Sequence, residues 1–165
     1  MRIPKNIVWG AILGLLTVSP ALAAADKVLI GLDNSVIFGA NGTDYQAPGR
    51  DSVLVLDTAD PARPRISANL ILSNSVLGPP VNLKITPDGT LGLVASAVHT
   101  EQKDGKLTAV PDNVVHVVDL SGKTPRVIGD VEVGLQPSGL AISRDGKLAL
   151  VTNSVGKSVS VLKID

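Results

Sequence analysis

From residue 27 onward the chain is built of short runs in which β-branched and other apolar residues alternate with polar ones. Val53-Leu-Val-Leu-Asp57, Val115-His-Val-Val-Asp119 and Val159-Ser-Val-Leu162 are the clearest. Ile66 to Leu72, Leu83 to Ile85, Leu91 to Ala95, Val127 to Val133, Leu140 to Ile142 and Leu148 to Val151 are others. Gly, Pro, Asp and Asn punctuate these runs, and no stretch carries an apolar stripe through three helical turns. Many short antiparallel strands are predicted, which places the chain in the all-β class.

A repeat sharpens this picture. Pro80-Val-Asn-Leu-Lys-Ile-Thr-Pro-Asp-Gly89 matches Pro137-Ser-Gly-Leu-Ala-Ile-Ser-Arg-Asp-Gly146, and each copy runs into an apolar strand, Leu91 to Ala95 and Leu148 to Thr152. A Val/Ile-rich strand precedes each copy and a Val-x-Val strand follows it. The Asp-Gly pairs mark tight hairpins, where Gly takes positive φ with little steric penalty. A four-strand unit of this kind cannot bury both faces alone, so neighbouring units must stack on it.

Pro137 to Asn153, followed by Lys157-Ser-Val-Ser-Val-Leu162, resembles the repeat of YVTN-type β-propellers, with Leu150-Val-Thr-Asn153 at the signature strand. Leu150 departs from the family's Tyr, and Arg144 stands where Pro is usual. The earlier copy keeps Pro87-Asp-Gly89 but has Leu93-Val-Ala-Ser96 at the signature. The resemblance covers residues 27–165 and implies four-stranded antiparallel blades. Val28 to Leu32, Val53 to Asp57 and Ile66 to Leu72 would be strands two to four of one blade. Val81 to Thr86, Thr90 to Ser96, Val114 to Asp119 and Arg126 to Val133 would form the next, and Ser138 to Ser143, Lys147 to Thr152 and Ser158 to Ile164 would begin another. That amounts to an incomplete ring of about two and a half to three blades, against about four to eight in a closed propeller. The expectation is an N-terminal part of a longer, seven-bladed protein, or one of several copies that together close a ring. An open arc would expose apolar blade faces and aggregate.

The N-terminus changes the setting. Arg2 and Lys5 precede the apolar run Ile7 to Val18, Pro20 breaks it, and Ala23-Ala-Ala25 offers small residues for cleavage before Asp26 or, alternatively, after Ala23. Residues 1–25 therefore read as a secretory signal peptide and 26–165 as a partial β-propeller repeat domain. An uncleaved anchor is the alternative, but the run is shorter than the ~20 residues a spanning helix needs, and no later segment could span. A periplasmic or secreted location is expected. The chain has no cysteine, so no disulfide, thiolate nucleophile or thiolate metal ligand is available. Removing Arg2 and Lys5 leaves a slight acidic excess without a basic cluster, and only Phe38 and Tyr45 remain as aromatics. A nucleic-acid surface is not expected.

Candidate chemistry lies where the repeat is interrupted. The link between the second and third strands is short in the last blade, Asn153 to Lys157, but grows to Ala97 to Asn113 and to Asp33 to Asp51 in the earlier two. In up-and-down blades that link and the link to the next blade, such as Ser73 to Pro80, emerge on one face. A loop face held by a rigid scaffold is the expected binding face. Its candidate residues are Asp33, Asn34, Asp44, Tyr45, Asn74, His99 and Glu101. Asp33, Asn34, Asn41, Asp44 and Tyr45 could offer oxygen to a hard cation, but they lack the spacing of a dedicated calcium loop and read more simply as solvated turn residues. Asn41-Gly42 reads as a hairpin turn inside the insertion. His99 and Glu101 could form an acid–base pair, while Lys103-Asp-Gly-Lys106 reads as a charged turn. His116, sharing a strand face with Val118, reads as a partly buried hydrogen-bonded residue packed against a neighbour. Asp57 and Asp119 read as turn caps.

No hydrolase elbow, zinc helix, phosphate loop or dinucleotide fingerprint occurs, so no catalytic residue, metal or cofactor is assigned. The expected function is an exported binding or interaction scaffold for a protein, peptide or small-molecule ligand. The alternative is a propeller enzyme, lactonase-like or dehydrogenase-like, whose metal or cofactor is completed by further blades. A purely structural envelope protein is the third possibility.

Overall fold

The computed structural model describes residues 26–165, so the signal-peptide reading of residues 1–25 lies outside the described residues. Every regular element among the described residues is a strand. Three antiparallel sheets are each drawn from strands consecutive in sequence, apart from one inserted hairpin. The first joins β1 (Lys27–Leu32), β4 (Ser52–Asp57) and β5 (Arg65–Ile71), in that order. The second joins β6 (Leu83–Ile85), β7 (Leu91–Lys103), β8 (Lys106–Asp119) and β9 (Arg126–Glu132). The third joins β10 (Pro137–Ile142), β11 (Leu148–Asn153) and β12 (Ser158–Lys163). The inserted hairpin is β2 (Val36–Gly39) with β3 (Gly42–Tyr45).

The sheets pack face to face as propeller blades, because alternation gives each strand two apolar faces. Val94 and Val118 of the second sheet meet Val53 and Val55 of the first and Leu72 just after its last strand, with Leu120 closing the cluster. On the opposite face Leu93, Ala95 and Val115 meet Leu140, Ala149 and Val151 of the third. At the inner edge, Leu140 N donates to Val81 O at 3.1 Å, and Val81 pairs in parallel with Gly139. The innermost strands of the second and third blades thus lie side by side. This is the all-β, incomplete-ring architecture expected from the repeat.

The repeated Asp-Gly turns divide their labour between the two residues. Gly89 and Gly146 take φ of +75° and +74°, while neither Asp88 nor Asp145 is among the residues with positive φ. The aspartates act as caps. Asp88 Oδ1 accepts from Thr86 Oγ1 at 2.6 Å and from Thr90 N at 3.0 Å, and Asp145 Oδ1 accepts from Ser143 Oγ at 2.6 Å and Lys147 N at 3.2 Å. The Thr86 hydroxyl, first of all, holds the Asp88 carboxyl below its ordinary pKa, and the Ser143 hydroxyl does the same for Asp145. Asp119 is lowered likewise, chiefly by the Ser121 hydroxyl.

Of the two long links, that from Ala97 to Asn113 is strand rather than loop, and that from Asp33 to Asp51 holds a short hairpin between irregular segments. The Ala97 to Asn113 segment continues β7 and β8 as one long hairpin, turned at Asp104-Gly105 with φ of 51° and 77°. Both central residues at positive φ match a hairpin turn whose twist suits the flanking strands. In the Asp33 to Asp51 link the tip falls on Ala40-Asn41, with Gly39 paired to Gly42, and Gly42 directly after it takes φ of 123°. The turn therefore sits one residue earlier than Asn41-Gly42, because strand pairing extends to Gly39 and Gly42, and glycine at position 42 takes positive φ freely.

Candidate functional site

The two insertions meet over the seam between the first and second blades, with β3 packed against β8. A bulge aims the longer hairpin at that seam. Pro111 of β8 has no N–H to give, and the β7–β8 register slips between Ser96 and Val98. An extra residue at such a point frees backbone groups and bends the strand. The freed Ala97 and Val98 amides both donate to Ser75 O in the link after β5, at 3.1 and 3.2 Å. The hairpin is thereby tied to the neighbouring blade.

Beside this tie, Ser75 joins two carboxylates. Its Oγ lies 2.6 Å from Asp33 Oδ1 and 2.6 Å from Asp51 Oδ2. The hydroxyl carries one hydrogen and can donate to only one of them at a time. Asp51 Oδ1 also accepts from Asn34 N at 2.9 Å and Ser35 N at 2.7 Å, while Asp33 Oδ1 accepts from Val36 N at 3.1 Å. The start of the first insertion is thus pinned to the link between the blades by buried hydrogen bonds. Asp51 and Ser75 are 3% and 0% exposed, so these bonds are shielded from water.

Between the pinned segment and the long hairpin lies a cleft of about 180 Å³, lined by Ser35, Pro48, Gly49, Asp51, Ile71, Leu72, Ser73, His99 and Thr100. Thr100 is 1% exposed, and its hydroxyl has no hydrogen-bond partner. Leaving a buried hydroxyl unpaired costs about 1–3 kcal/mol. Among the described residues it is the one buried side-chain donor so placed; the other unpaired buried atom, Asn153 Oδ1, is an acceptor in the third blade.

A second chain of hydrogen bonds crosses the same seam. Ser73 Oγ lies 3.1 Å from His116 Nε2, and His116 Nδ1 lies 2.7 Å from Asp130 Oδ1. Val94, His116 and Asp130 are cross-strand neighbours on β7, β8 and β9, so one sheet face presents the imidazole toward the first blade. The His116 side chain is 12% exposed, and that of Asp130 is 59% exposed. The sequence expectation of a half-buried, hydrogen-bonded His116 facing a neighbour agrees with this geometry. Its link to Ser73 could not be read from sequence, because the two residues belong to different blades.

The residues singled out from sequence are distributed as follows. His99 Nε2 is 3.1 Å from Glu101 Oε1 and His99 Nδ1 is 3.7 Å from Asp112 Oδ2, on the outer part of the long hairpin. Asp33 belongs to the Ser75 node, and Asn34 Nδ2 donates to Arg50 O at 3.1 Å. Asn74 is buried and spends its amide on Ser52 O at 3.0 Å and Leu72 O at 3.3 Å. Asp44 accepts from Gln46 Nε2 at 2.8 Å, and Tyr45 pairs with Val36 in the inserted hairpin. Among the described residues no three His, Cys, Asp or Glu side chains converge as a metal would require. Asp51, Ser75, Thr100 and Ser73 carry no sequence motif; only their position in links and insertions of the repeat could have marked them.

A larger hollow of about 700 Å³ opens at the other end of the strands, between the Thr86–Asp88 and Arg144–Lys147 turns. Of its carboxylates, Asp88 and Asp145 are engaged as turn caps and Asp165 pairs with Lys163. None of its lining residues holds a buried side-chain atom without a partner.

No protein-family model matches the chain, and no curated protein matches it. Among solved structures, the chain is similar to hydrazine synthase of Kuenenia stuttgartiensis, at 16% identity and TM-score 0.30, over 84% of this chain and 56% of that one. It is also similar to a Bacteroides uniformis protein provisionally named a 6-phosphogluconolactonase, at 14% identity and TM-score 0.32, over 79% of this chain and 50% of that one. The chain therefore spans about half the length of the structures it matches. At this level of superposition neither neighbour indicates what the chain does, and the blade arrangement rests on its own sheet order and packing.

Proposed function

We propose that this chain is part of an exported YVTN-type β-propeller scaffold that binds a small ligand, or one side chain of a peptide, at the seam of its first two blades. The observation that supports the reading is the cleft where both insertions meet, lined by Pro48, Ile71 and Leu72 with Ser73 and His99 at its polar edge and braced by the Ser75 node. Sites of this kind are concave and largely preformed. At about 180 Å³ the cleft is smaller than a drug-sized pocket, which points to a compact ligand.

Binding is tested by titrating small alcohols, amines and amides into isotope-labelled protein and following backbone amide shifts. The reading expects saturable shifts confined to Ser35, Gly49, Ser73 and Thr100 and lost in Ser35→Leu, which fills the cleft. Shifts spread over the third blade, or none at millimolar probe, count against it. Export is tested separately by the intact mass of the protein from cytoplasmic, periplasmic and culture fractions. A periplasmic or secreted species beginning at Asp26 is expected, and an unprocessed species confined to the cytoplasm would remove that part of the proposal.

A further inference from the structure

The hydrogen-bond chain from Ser73 through His116 to Asp130 has the connectivity of a nucleophile, a general base and the carboxylate that orients the base. An ionised Asp130 carboxylate has only acceptors, so it selects the imidazole tautomer with hydrogen on Nδ1. Nε2 then presents its lone pair to the Ser73 hydroxyl at 3.1 Å, within the reach required of a general base. Ser73 lines the cleft, so the reactive oxygen borders a space open to a small molecule. We infer that Ser73 is a reactive serine that accepts the acyl group of a small ester, with His116 as its base.

The step balances without any co-reactant except water. The Ser73 oxygen bonds to the acyl carbon and its proton passes to His116 Nε2, while the carbonyl electrons move onto oxygen. The intermediate collapses, the ester C–O bond breaks, and the alcohol leaves with the proton from His116. Water then attacks the acyl-serine, His116 takes its proton, and the carboxylic acid leaves as Ser73 regains its hydrogen. Asp130 touches only the imidazole and is a positioning residue. A cleft of about 180 Å³ admits an acyl group of a few carbons, not an extended peptide.

This activity goes beyond the binding reading while using the same cleft. Reversible ligand binding without serine reactivity would leave that reading standing and remove this one. The probe is diisopropyl fluorophosphate on the full chain, followed by peptide mass mapping. An Oγ–P bond forms, the P–F bond breaks, and fluoride leaves as the serine proton passes through His116 to solvent. One phosphoryl group on Ser73 is expected in native protein and none in urea. The labelling rate should fall about 100-fold or more in His116→Gln. It should fall about tenfold in Asp130→Asn and recover in part in Asp130→Glu, which a role in stability alone would not produce. Hydrolysis of p-nitrophenyl acetate should follow the same order. No label on Ser73 in the native wild type, label unchanged by urea, or a rate unaffected in folded His116→Gln would each overturn the inference; the first two require no variant to fold.

Discussion

Small polar side chains decide where this chain turns and where its strands begin. Thr86 and Ser143 each donate a hydroxyl hydrogen to the aspartate two residues on, and each hydroxyl also accepts from the strand that follows, from Leu91 N and Leu148 N at 3.0 Å. Because the folded-state pKa of Asp88 and Asp145 lies below the ordinary value, their stabilisation is present above about pH 3.9 and is lost as pH falls through the lower folded value. Urea midpoints should therefore drop in Asp88→Asn and Asp145→Asn at pH 7, with the gap from wild type closing as the pH falls through the lowered folded-state value. At the seam, Ser75→Ala removes the hydroxyl shared by Asp33 and Asp51, and a loss of about 1.5–3 kcal/mol in urea unfolding is expected for a buried bond to a charged group.

Strand pairing carries the information one level up, and there the sequence was legible only in part. The Asp-Gly repeats and the alternating runs located the blade strands to within a residue or two, since period-2 patterning and turn chemistry agree there. The outer halves of β7 and β8 did not announce themselves. Glu101, Gln102 and Lys103 are all exposed, and with no apolar alternation they look the same in a loop as in a two-stranded ribbon. The Ser73–His116–Asp130 chain was hidden for a different reason: its members meet across a blade interface, and cross-strand register and blade packing together bring them into reach. That interface is tight. A Cβ added at Gly92 would stand 2.9 Å from Leu29 Cδ1 and 3.4 Å from Leu120 Cδ1. Gly92→Ala should cost about 1–3 kcal/mol by overpacking, and thermal unfolding will read it as a lower midpoint.

At the scale of the molecule, the inner blade faces are buried while both outward faces of the described arc remain apolar. Leu150 and Val161 on the third blade are 47% and 63% exposed, and Ile66 on the first is 64% exposed. Contiguous exposed apolar surface of this kind favours association. Sedimentation of the isolated chain should show concentration-dependent growth in mass, reduced by Leu150→Ser with Val161→Lys. The cluster between the first two blades has a further consequence, in time rather than in space. Val53, Val55 and Leu72 are synthesised early, but their cover, Val94, Val118 and Leu120, comes from the following blade. The first blade cannot complete its core until the chain has been made through Leu120, however early its own strands pair. Amides of β4 and those of β8 should thus gain hydrogen-exchange protection in one kinetic phase during refolding, and a growing chain stopped short of residue 120 should show neither set protected.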